Sequence, residues 1–243
     1  MQEGIRLSRL MAQQGLCSRR EADRLISAGH VLVDGVTVSQ LGSRVSPHAD
    51  IQLSSQATQQ RQSLATLLLN KPPGVVSNQP EKGYPEAASL IQAQNRSDQG
   101  TQATWPIPPA KSLHVAGRLD IDSSGLLVMT QDGSVARQLI APDSQVEKEY
   151  RVHVSGPINS TVIAHLGHGL VLDGRALRPA QVTQKNPDRL IFILREGRKR
   201  QIRRMCELVG LTVHSLVRVR IGRVSLGKLK RGQWRHLTPG EHF

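Results

Sequence analysis

The chain contains a succession of short β-rich runs with only a few helical segments between them. These runs cover residues 64–70, 126–130, 147–154, 190–194 and 213–221. No steady alternation of strand and helix accompanies them, so a doubly wound parallel sheet is not expected. The pattern predicts an α+β protein with a mixed, largely antiparallel sheet.

Residues 1–55 have the features of a separate small unit. A helix-like segment is followed by Ser18, which forms a capping box with Glu21 and begins a second helix. Two short β-rich runs around Asp34-Gly35 then predict a hairpin. One side of the second helix is apolar, and its opposite side carries three arginines at helical spacing, Arg19, Arg20 and Arg24.

A polar, Gln-rich stretch at 56–63 is typical of a linker and places a second domain at 64–243. Within that domain, residues 78–112 lack a clear period and are expected to form a long loop or insertion. Asp132-Gly133 predicts a turn after the second strand.

The last quarter of the chain combines an amphipathic helix with a basic strand. Residues 198–209 place apolar side chains on one face, whereas Arg200, Arg203 and Arg204 point away from it. In the strand that follows, period-two alternation predicts that Arg218 and Arg220 share one face.

Charge is distributed unevenly along the chain. The net charge is +13, and residues 190–243 alone hold thirteen basic and three acidic groups. Positive charge concentrated in this way is typical of a surface that binds phosphate, so we expect a nucleic-acid partner. A solvated basic face is the alternative that the sequence leaves open.

Several classes of protein are not expected from this composition. No stretch approaches the roughly 18 apolar residues of a membrane span, and the start lacks the apolar region of a signal peptide. Two cysteines are too few for a disulfide framework or a Cys-based zinc site. We therefore expect a cytoplasmic protein, acting as a monomer, without membrane contact.

Asp120 is the residue most suited to chemistry. It follows Gly117-Arg118-Leu119, just before a turn-rich DSSG and a buried strand. A carboxylate beside an arginine can be held ionised as a nucleophile. On these residues alone, a turn aspartate or a structural ion pair is favoured. The familiar nucleotide, metalloprotease and hydrolase motifs are missing, so no cofactor and no metal are expected.

Five segments, in order, resemble the RNA pseudouridine synthases of the RsuA/RluB/RluE/RluF branch. RLSRLMAQQGLCSRREADRLISAGHVLVDG is similar to their S4 RNA-binding domain, and LNKPPG, GRLDIDSSGL, EKEYRV and EGRKRQIRRM are similar to their catalytic motifs. The segment RQIRRMCE is most similar to the RluF-type enzymes, which act on large-subunit ribosomal RNA. The connection between LNKPPGVVS and GRLD looks longer than is usual in the family.

The resemblance implies roles for five residues of an active site. Asp120 matches the essential aspartate, and Arg118 would hold its carboxylate or the surroundings of the flipped nucleotide. Tyr150 matches the tyrosine whose ring packs against the target uracil. Arg203 matches the basic residue that pairs with the aspartate, and Ile202 matches an apolar residue of the pocket.

Six basic residues are further expected to contact RNA. Three lie in the S4-like unit and three in the second domain: Arg19, Arg20, Arg24, Lys71, Arg200 and Arg204. Lys71 matches the lysine of the first catalytic motif, for which a structural or phosphate-facing role is expected.

These features together predict a two-domain enzyme that isomerises a uridine in structured RNA, with large-subunit (23S) ribosomal RNA as the expected substrate. Small-subunit ribosomal RNA or tRNA is the alternative substrate. A non-catalytic S4-type ribosome-associated factor and a basic DNA-binding module are alternatives from other classes. The intact GRLD and QIR segments argue against the first of these, and the S4-like unit argues against the second.

Overall fold

The computed structural model describes residues 4–79, 83–97 and 104–243. Within these ranges the chain is α+β, as predicted, with small sheets near the amino terminus and one large mixed sheet after it. Part of the stretch 78–112 lies outside the described residues, as do residues 1–3 of the predicted first unit. No helix in the described ranges is both long enough and apolar enough to span a membrane.

The amino-terminal unit packs three helices against short strands around its own core. That core includes Leu7, Met11, Ile26 and Val31. The helices are α1 (Leu7–Gln13), α2 (Arg19–Ser27) and α3 (Ser55–Gln62), and the strands are β1 (Ile5–Arg6), β2 (Val31–Val33), β3 (Val36–Thr37), β4 (Arg44–Val45) and β5 (Ile51–Leu53).

Two local signals in this unit start the elements that they predict, although the second half of the predicted capping box, a bond from the Ser18 amide to the Glu21 carboxylate, is not formed. The Ser18 hydroxyl accepts a hydrogen bond from the Glu21 amide at 3.3 Å and caps α2. Asp34 and Gly35 both have positive φ, of 49° and 80°, and join β2 to β3 as a hairpin. A two-residue hairpin turn of this kind requires positive φ at both positions.

The predicted linker at 56–63 lies largely within helix α3. Ser54 caps this helix by accepting from the Ala57 amide at 3.3 Å. The Ala57 side chain is fully buried in the amino-terminal core. Polar composition alone could not reveal this helix, because it presents a single small residue to the core.

A nine-stranded sheet is formed by the described residues of the remainder of the chain. The order is β12-β13-β9-β14-β8-β6-β16, with β15 beside β14 and β7 beside β8. Only β14 and β8 pair in parallel, so the sheet is mixed and largely antiparallel. Its strands are β6 (Thr66–Lys71), β7 (His114–Val115), β8 (Ser124–Thr130), β9 (Lys148–Ser155), β12 (Gln181–Asn186), β13 (Arg189–Leu194), β14 (Thr212–Ile221), β15 (Val224–Ser225) and β16 (Trp234–His236).

Besides three short 3-10 helices at Ala87–Leu90, Ala93–Asn95 and Ala110–Ser112, three α-helices and a small hairpin complete the described part of this region. They are α4 (Gly133–Ile140), α5 (Ser160–Gly167), α6 (Gln201–Leu208) and the pair β10 (Val171–Leu172) and β11 (Arg175–Ala176). Leu166 of α5 and Cys206 of α6 join Tyr150 and Phe192 in one buried cluster. Cys206 is thus a core residue, as its apolar helix face predicted, and burial raises its pKa to about 12.

The predicted turn at Asp132-Gly133 is the start of a helix. Asp132 accepts hydrogen bonds from the Ser134 amide at 2.7 Å and its hydroxyl at 2.6 Å, and so caps α4. Asp-Gly dipeptides suit turns and helix starts alike, because both use a short side chain that accepts from a nearby amide.

The prediction that Arg218 and Arg220 share one face is wrong. Arg218 pairs with Tyr150 and Arg220 with Glu149, with a register shift between the two arginines. This β-bulge puts the side chains on opposite faces of the sheet. Arg218 is consequently buried, whereas Arg220 binds Glu147 and Glu149 on the other face.

Gly125 allows the close contact between β8 and β14. Its φ is +105°, and a Cβ at this position would lie 2.2 Å from the Arg218 carbonyl oxygen. A larger residue would push these two strands apart next to the loop that carries Asp120.

Candidate active site

A large cavity lies at the start of strand β8. It has a volume of 1220 Å³, and its lining includes the loop at 117–123, Tyr150 of β9, the start of α6 and Arg218 of β14. We call it the active-site cavity. Asp120, Arg118, Tyr150, Ile202 and Arg203 all line it. The five residues expected from the resemblance are therefore gathered around one space.

Hydrogen bonds from Arg218 hold the backbone at the start of the Asp120 loop. This guanidinium is 2% exposed. It donates to the carbonyls of Leu126 at 2.7 Å, Gly117 at 2.9 Å and Arg118 at 3.5 Å. A buried guanidinium needs such partners, and here they fix the path of the chain into the loop.

The rest of the loop backbone is also tethered. The Ser77 hydroxyl donates to the Leu119 carbonyl at 2.7 Å and accepts from the Leu119 amide at 2.8 Å. The Asp120 carbonyl accepts from the Ser123 amide at 3.1 Å, and the Ile121 carbonyl accepts from the Gly74 amide at 2.8 Å. Every carbonyl from 117 to 121 thus has a donor.

The Asp120 carboxylate, by contrast, forms no hydrogen bond or ion pair with the described part of the chain. Asp120 is partly exposed and lines the active-site cavity. A fixed backbone with an unengaged carboxylate is an arrangement suited to a reacting group, because little reorganisation is needed when the substrate arrives.

Arg203 contacts Asp122 instead of Asp120, unlike the expected pairing. Its Nε lies 3.2 Å from Asp122 Oδ2, an ion-pair distance, although the N–H direction does not make a hydrogen bond. The guanidinium also donates to the carbonyls of Val213 at 3.2 Å and Asp122 at 3.3 Å. These backbone contacts anchor Arg203 on the Asp122 side of the loop. Arg118 is exposed and has no ion pair with described residues, so it does not hold the Asp120 carboxylate.

Tyr150 and Ile202 form the apolar part of the cavity wall. Their exposed fractions are 8% and 4%, and both belong to the core cluster that β9, β13 and α6 share. Burial of the Tyr150 ring in the core and its position at the cavity were both expected, and the structure shows the two together.

The cavity carries a net positive charge. Among its lining residues are nine Lys or Arg and three Asp or Glu side chains. Lys148 is one of them; burial lowers its pKa to about 8, and nearby Arg218 acts in the same direction. Such a cavity favours an anionic ligand. No three His, Cys, Asp or Glu side chains in the described ranges come together as a metal site would require.

Lys71 does not face RNA. Its side chain is fully buried, and Nζ donates to the carbonyls of Val75 at 2.7 Å, Pro72 at 2.9 Å and Ile121 at 3.5 Å. Burial lowers its pKa to about 8. The ammonium therefore supports the Asp120 loop, because it binds the carbonyl of the neighbouring residue, and a phosphate contact is ruled out by its position.

The other basic residues expected to contact RNA are at the surface. Arg200 lines the cavity and pairs with Asp122 at 3.1 Å, whereas Arg204 binds Asp173 through two hydrogen bonds of 2.7 and 2.9 Å and is not part of the cavity lining. All three arginines of α2 are exposed, Arg19, Arg20 and Arg24.

Sequence reasoning missed three residues of this site, Ser77, Asp122 and Arg218. Ser77 lies three residues beyond the LNKPPG segment, and Asp122 lies two residues beyond Asp120. Neither spacing indicates a contact. Arg218 was assigned to a strand face, but only the long-range pairing of β14 with β8 and β9 reveals its carbonyl partners.

Two family models match the chain. A model described as RNA pseudouridylate synthase covers residues 65–208, and an S4 domain model covers residues 5–51.

Curated relatives match over nearly the whole chain. The dual-specificity RNA pseudouridine synthase RluF of Escherichia coli O6:H1 is 36% identical over 98% of this chain and 77% of the relative. An uncharacterized RNA pseudouridine synthase of Mycobacterium tuberculosis H37Rv is 37% identical over 98% of this chain and 91% of its own length. A crystal structure of a pseudouridylate synthase superposes with a TM-score of 0.65 and 26% identity, covering 96% of each chain.

Proposed function

Since the chain belongs to the RNA pseudouridylate synthase family and carries an S4 domain, we propose that it isomerises a specific uridine of 23S ribosomal RNA through the Asp120 carboxylate. Membership of the family makes the protein an RNA pseudouridine synthase, an isomerase. The substrate RNA and the role of each residue are what we propose.

One observation carries the assignment of Asp120. Its carboxylate is unengaged at the wall of the active-site cavity, while the carbonyls of residues 117–121 all have donors. The neighbouring Asp122 is bound by Arg200 and Arg203. Of the two carboxylates in this loop, only Asp120 is therefore available to a substrate.

The reaction requires a flipped base and no net change in atoms. The N1–C1′ bond of uridine breaks, a C5–C1′ bond forms, C5 loses a proton and N1 gains one. The base must leave the stack and turn within a closed pocket. Asp120 would supply the carboxylate, by attack on the base, attack on C1′ or removal of a sugar proton.

Tyr150 and Ile202 would hold the uracil while it turns. An aromatic ring offers a face on which a base can stack, and the neighbouring aliphatic side chain excludes water. Arg203 would hold the loop in place through its contacts to the Asp122 carboxylate and carbonyl, which leaves Asp120 free for the substrate. Arg118 and Arg200, which line the same cavity, would contact the RNA around the target nucleotide.

The S4 domain would position the RNA. The exposed face of α2 with Arg19, Arg20 and Arg24 suits contacts to phosphates, which orient an RNA without reading its sequence. The preference for 23S ribosomal RNA rests on the similarity to the dual-specificity RNA pseudouridine synthase RluF and on the resemblance of RQIRRMCE to the RluF-type enzymes, which act on large-subunit ribosomal RNA.

The test is a conversion assay on defined RNAs. Purified protein and its Asp120→Asn variant are incubated with 23S rRNA, 16S rRNA and tRNA transcripts, and pseudouridines are mapped at nucleotide resolution. We expect conversion at a discrete site in 23S rRNA by the unchanged protein and none by the variant.

Other results would contradict parts of the proposal. Conversion confined to 16S rRNA or tRNA would reject the substrate, and conversion by Asp120→Asn would reject the residue. RNA binding without conversion of any transcript would favour a non-catalytic S4-type factor.

A further inference from the structure

A second cavity lies where the S4 domain meets the catalytic domain. It has a volume of 360 Å³ and is lined by Arg9, Ala12, Gln13, Ser18, Arg19 and Arg137. We call it the junction cavity. We propose that it binds a backbone phosphate of the substrate RNA near the target uridine, an inference that rests on the function proposed above.

The lining of the junction cavity is basic without any acidic residue. Arg9 and Arg19 are exposed and form no hydrogen bond or ion pair with the described residues. Arg137 donates through one Nη to the Ala12 carbonyl, which leaves its other donors available. Guanidinium groups present donors in a planar fork that matches phosphate oxygens.

Two helices begin at this place. Ser18 caps α2 and Asp132 caps α4, and a Cβ on Gly133 would lie 2.6 Å from the Ser18 Cβ. The first amides of both helices thus lie close together, and helix N-termini favour anions. The Asp132 carboxylate at the start of α4 forms an ion pair with Arg61 at 3.6 Å. Its negative charge therefore does not cancel the positive charge of the arginines that line the junction cavity.

The junction cavity also lies at a suitable distance from the reaction. Helix α4 has eight residues and is therefore about 12 Å long. Its residue Arg137 lines the junction cavity, and its last residue, Ile140, lines the active-site cavity. An RNA strand with its uridine beside Asp120 can therefore reach the junction cavity within a few nucleotides.

A phosphate bound here would contact both domains at once. Arg9 and Arg19 belong to the S4 domain and Arg137 to the catalytic domain. The bound RNA would then also fix the position of the two domains relative to each other. This is a role for Arg9 and Arg137 distinct from that of the exposed α2 face.

The experiment measures RNA affinity as a function of salt for Arg9→Gln, Arg137→Gln and the double variant, in the full chain. Loss of one phosphate contact should reduce the slope of log affinity against log salt by about 0.7. We expect affinity about tenfold weaker in the double variant. The two single effects should add to more than the double effect, because both arginines bind one phosphate.

Matched controls separate this contact from a loss of charge or of folding. Lys185→Gln/Arg189→Gln removes two exposed basic residues of β12 and β13 and should leave the slope nearly unchanged. Arg9→Gln is the decisive single variant, since Arg9 forms no hydrogen bond or ion pair with the described residues that its loss could disrupt. Thermal midpoints are measured for every variant.

The outcomes distinguish this inference from the function on which it rests. An unchanged salt slope in Arg9→Gln, in a protein that still converts uridine, would overturn the junction site alone. Failure of the unchanged protein to convert any RNA would overturn the function. Stabilisation by inorganic phosphate, lost in the double variant while RNA affinity stays the same, would reject RNA as the occupant.

Discussion

Arg203 contacts Asp122 and leaves Asp120 unpaired, with 3.2 Å between Arg203 Nε and Asp122 Oδ2. Two carboxylates in one short loop thus have different surroundings. One is neutralised by Arg200 and Arg203, and the other faces the active-site cavity with its backbone fixed. This division provides a matched pair of substitutions.

Asp120→Asn should lower the rate of uridine isomerisation by at least about a thousandfold, the range expected when a group that takes part in bond making is lost. Asp122→Asn should keep the rate within about tenfold of the unchanged protein, because its role is to bind arginines at a half-exposed site. Single-turnover assays with saturating enzyme measure both. Similar losses in the two variants would show that the loop acts as one unit and would remove the special assignment of Asp120.

Arg203→Lys should reduce the rate about tenfold or more, because an ammonium cannot reproduce contacts to Asp122 and to the Val213 carbonyl simultaneously. The control is Arg204→Lys, one residue further along α6, whose partner Asp173 is exposed. That variant should retain nearly full activity. Equal activity of the two variants would show that the guanidinium of Arg203 does not contribute to the reaction.

Tyr150 should contribute mainly its ring. Tyr150→Phe should retain most of the RNA affinity, whereas Tyr150→Leu should lose about tenfold or more, since stacking on a base is worth about 1–3 kcal/mol. Phe192→Leu is the control, because Phe192 pairs with Tyr150 across β13 and β9 but does not line the cavity. Equilibrium binding is measured below all thermal midpoints. A loss in Phe192→Leu as large as in Tyr150→Leu would indicate core damage instead of lost stacking.

Ser77 should act as a positioning residue for Asp120. Ser77→Ala leaves the Leu119 amide and carbonyl without their partner and should lower the free energy of unfolding by about 1–3 kcal/mol. It should also lower kcat while KM stays near that of the unchanged protein, because the hydroxyl donates to the Leu119 carbonyl and accepts from the Leu119 amide and so acts on the loop backbone. Ser89→Ala, which removes an exposed hydroxyl bonded to Glu86, is the control. A change in KM alone would contradict a positioning role.

Buried Lys71 should make stability depend on pH in the alkaline range. Burial lowers its pKa in the folded protein from 10.5 to about 8. Between these values the unfolded chain binds more protons than the folded chain, so the free energy of unfolding should rise with pH through this window. Lys71→Met should reduce that rise. Lys148, with its pKa also lowered to about 8, should account for a further part.

Urea unfolding at several pH values between 7.5 and 10.5 measures this dependence. Exposed Lys228 offers a control, since Lys228→Met should show the same rise as the unchanged protein. If Lys71→Met also shows the full rise, Lys71 titrates normally and its ammonium is not desolvated.

The sequence predicted the elements with strong local signals. The alternation of residues 148–155 indicated β9, and the Ser18 cap indicated the start of α2. Such signals depend on side chains within a few residues of each other. The family resemblance added which residues gather at the active-site cavity, and the structure brings all five together.

Contacts between distant segments could not be predicted in this way. The bulge in β14 separates Arg218 from Arg220, and it is set by pairing with β9. Arg203 contacts Asp122 instead of Asp120 because of the position of α6 relative to the loop. Lys71 is buried because residues 72–75 pass around its side chain. Each is a matter of three-dimensional packing that neither composition nor period encodes.

The loop at 117–121 is already tethered in the absence of RNA, because each of its carbonyls has a donor. The cost in conformational entropy of ordering it is met during folding, so none of the binding energy is needed for that purpose. We therefore expect the slow step to be a rearrangement of the RNA, whose uridine must unpair and leave the stack. Turnover should therefore respond to temperature as the local melting of the RNA does, and weakly paired uridines should be converted fastest.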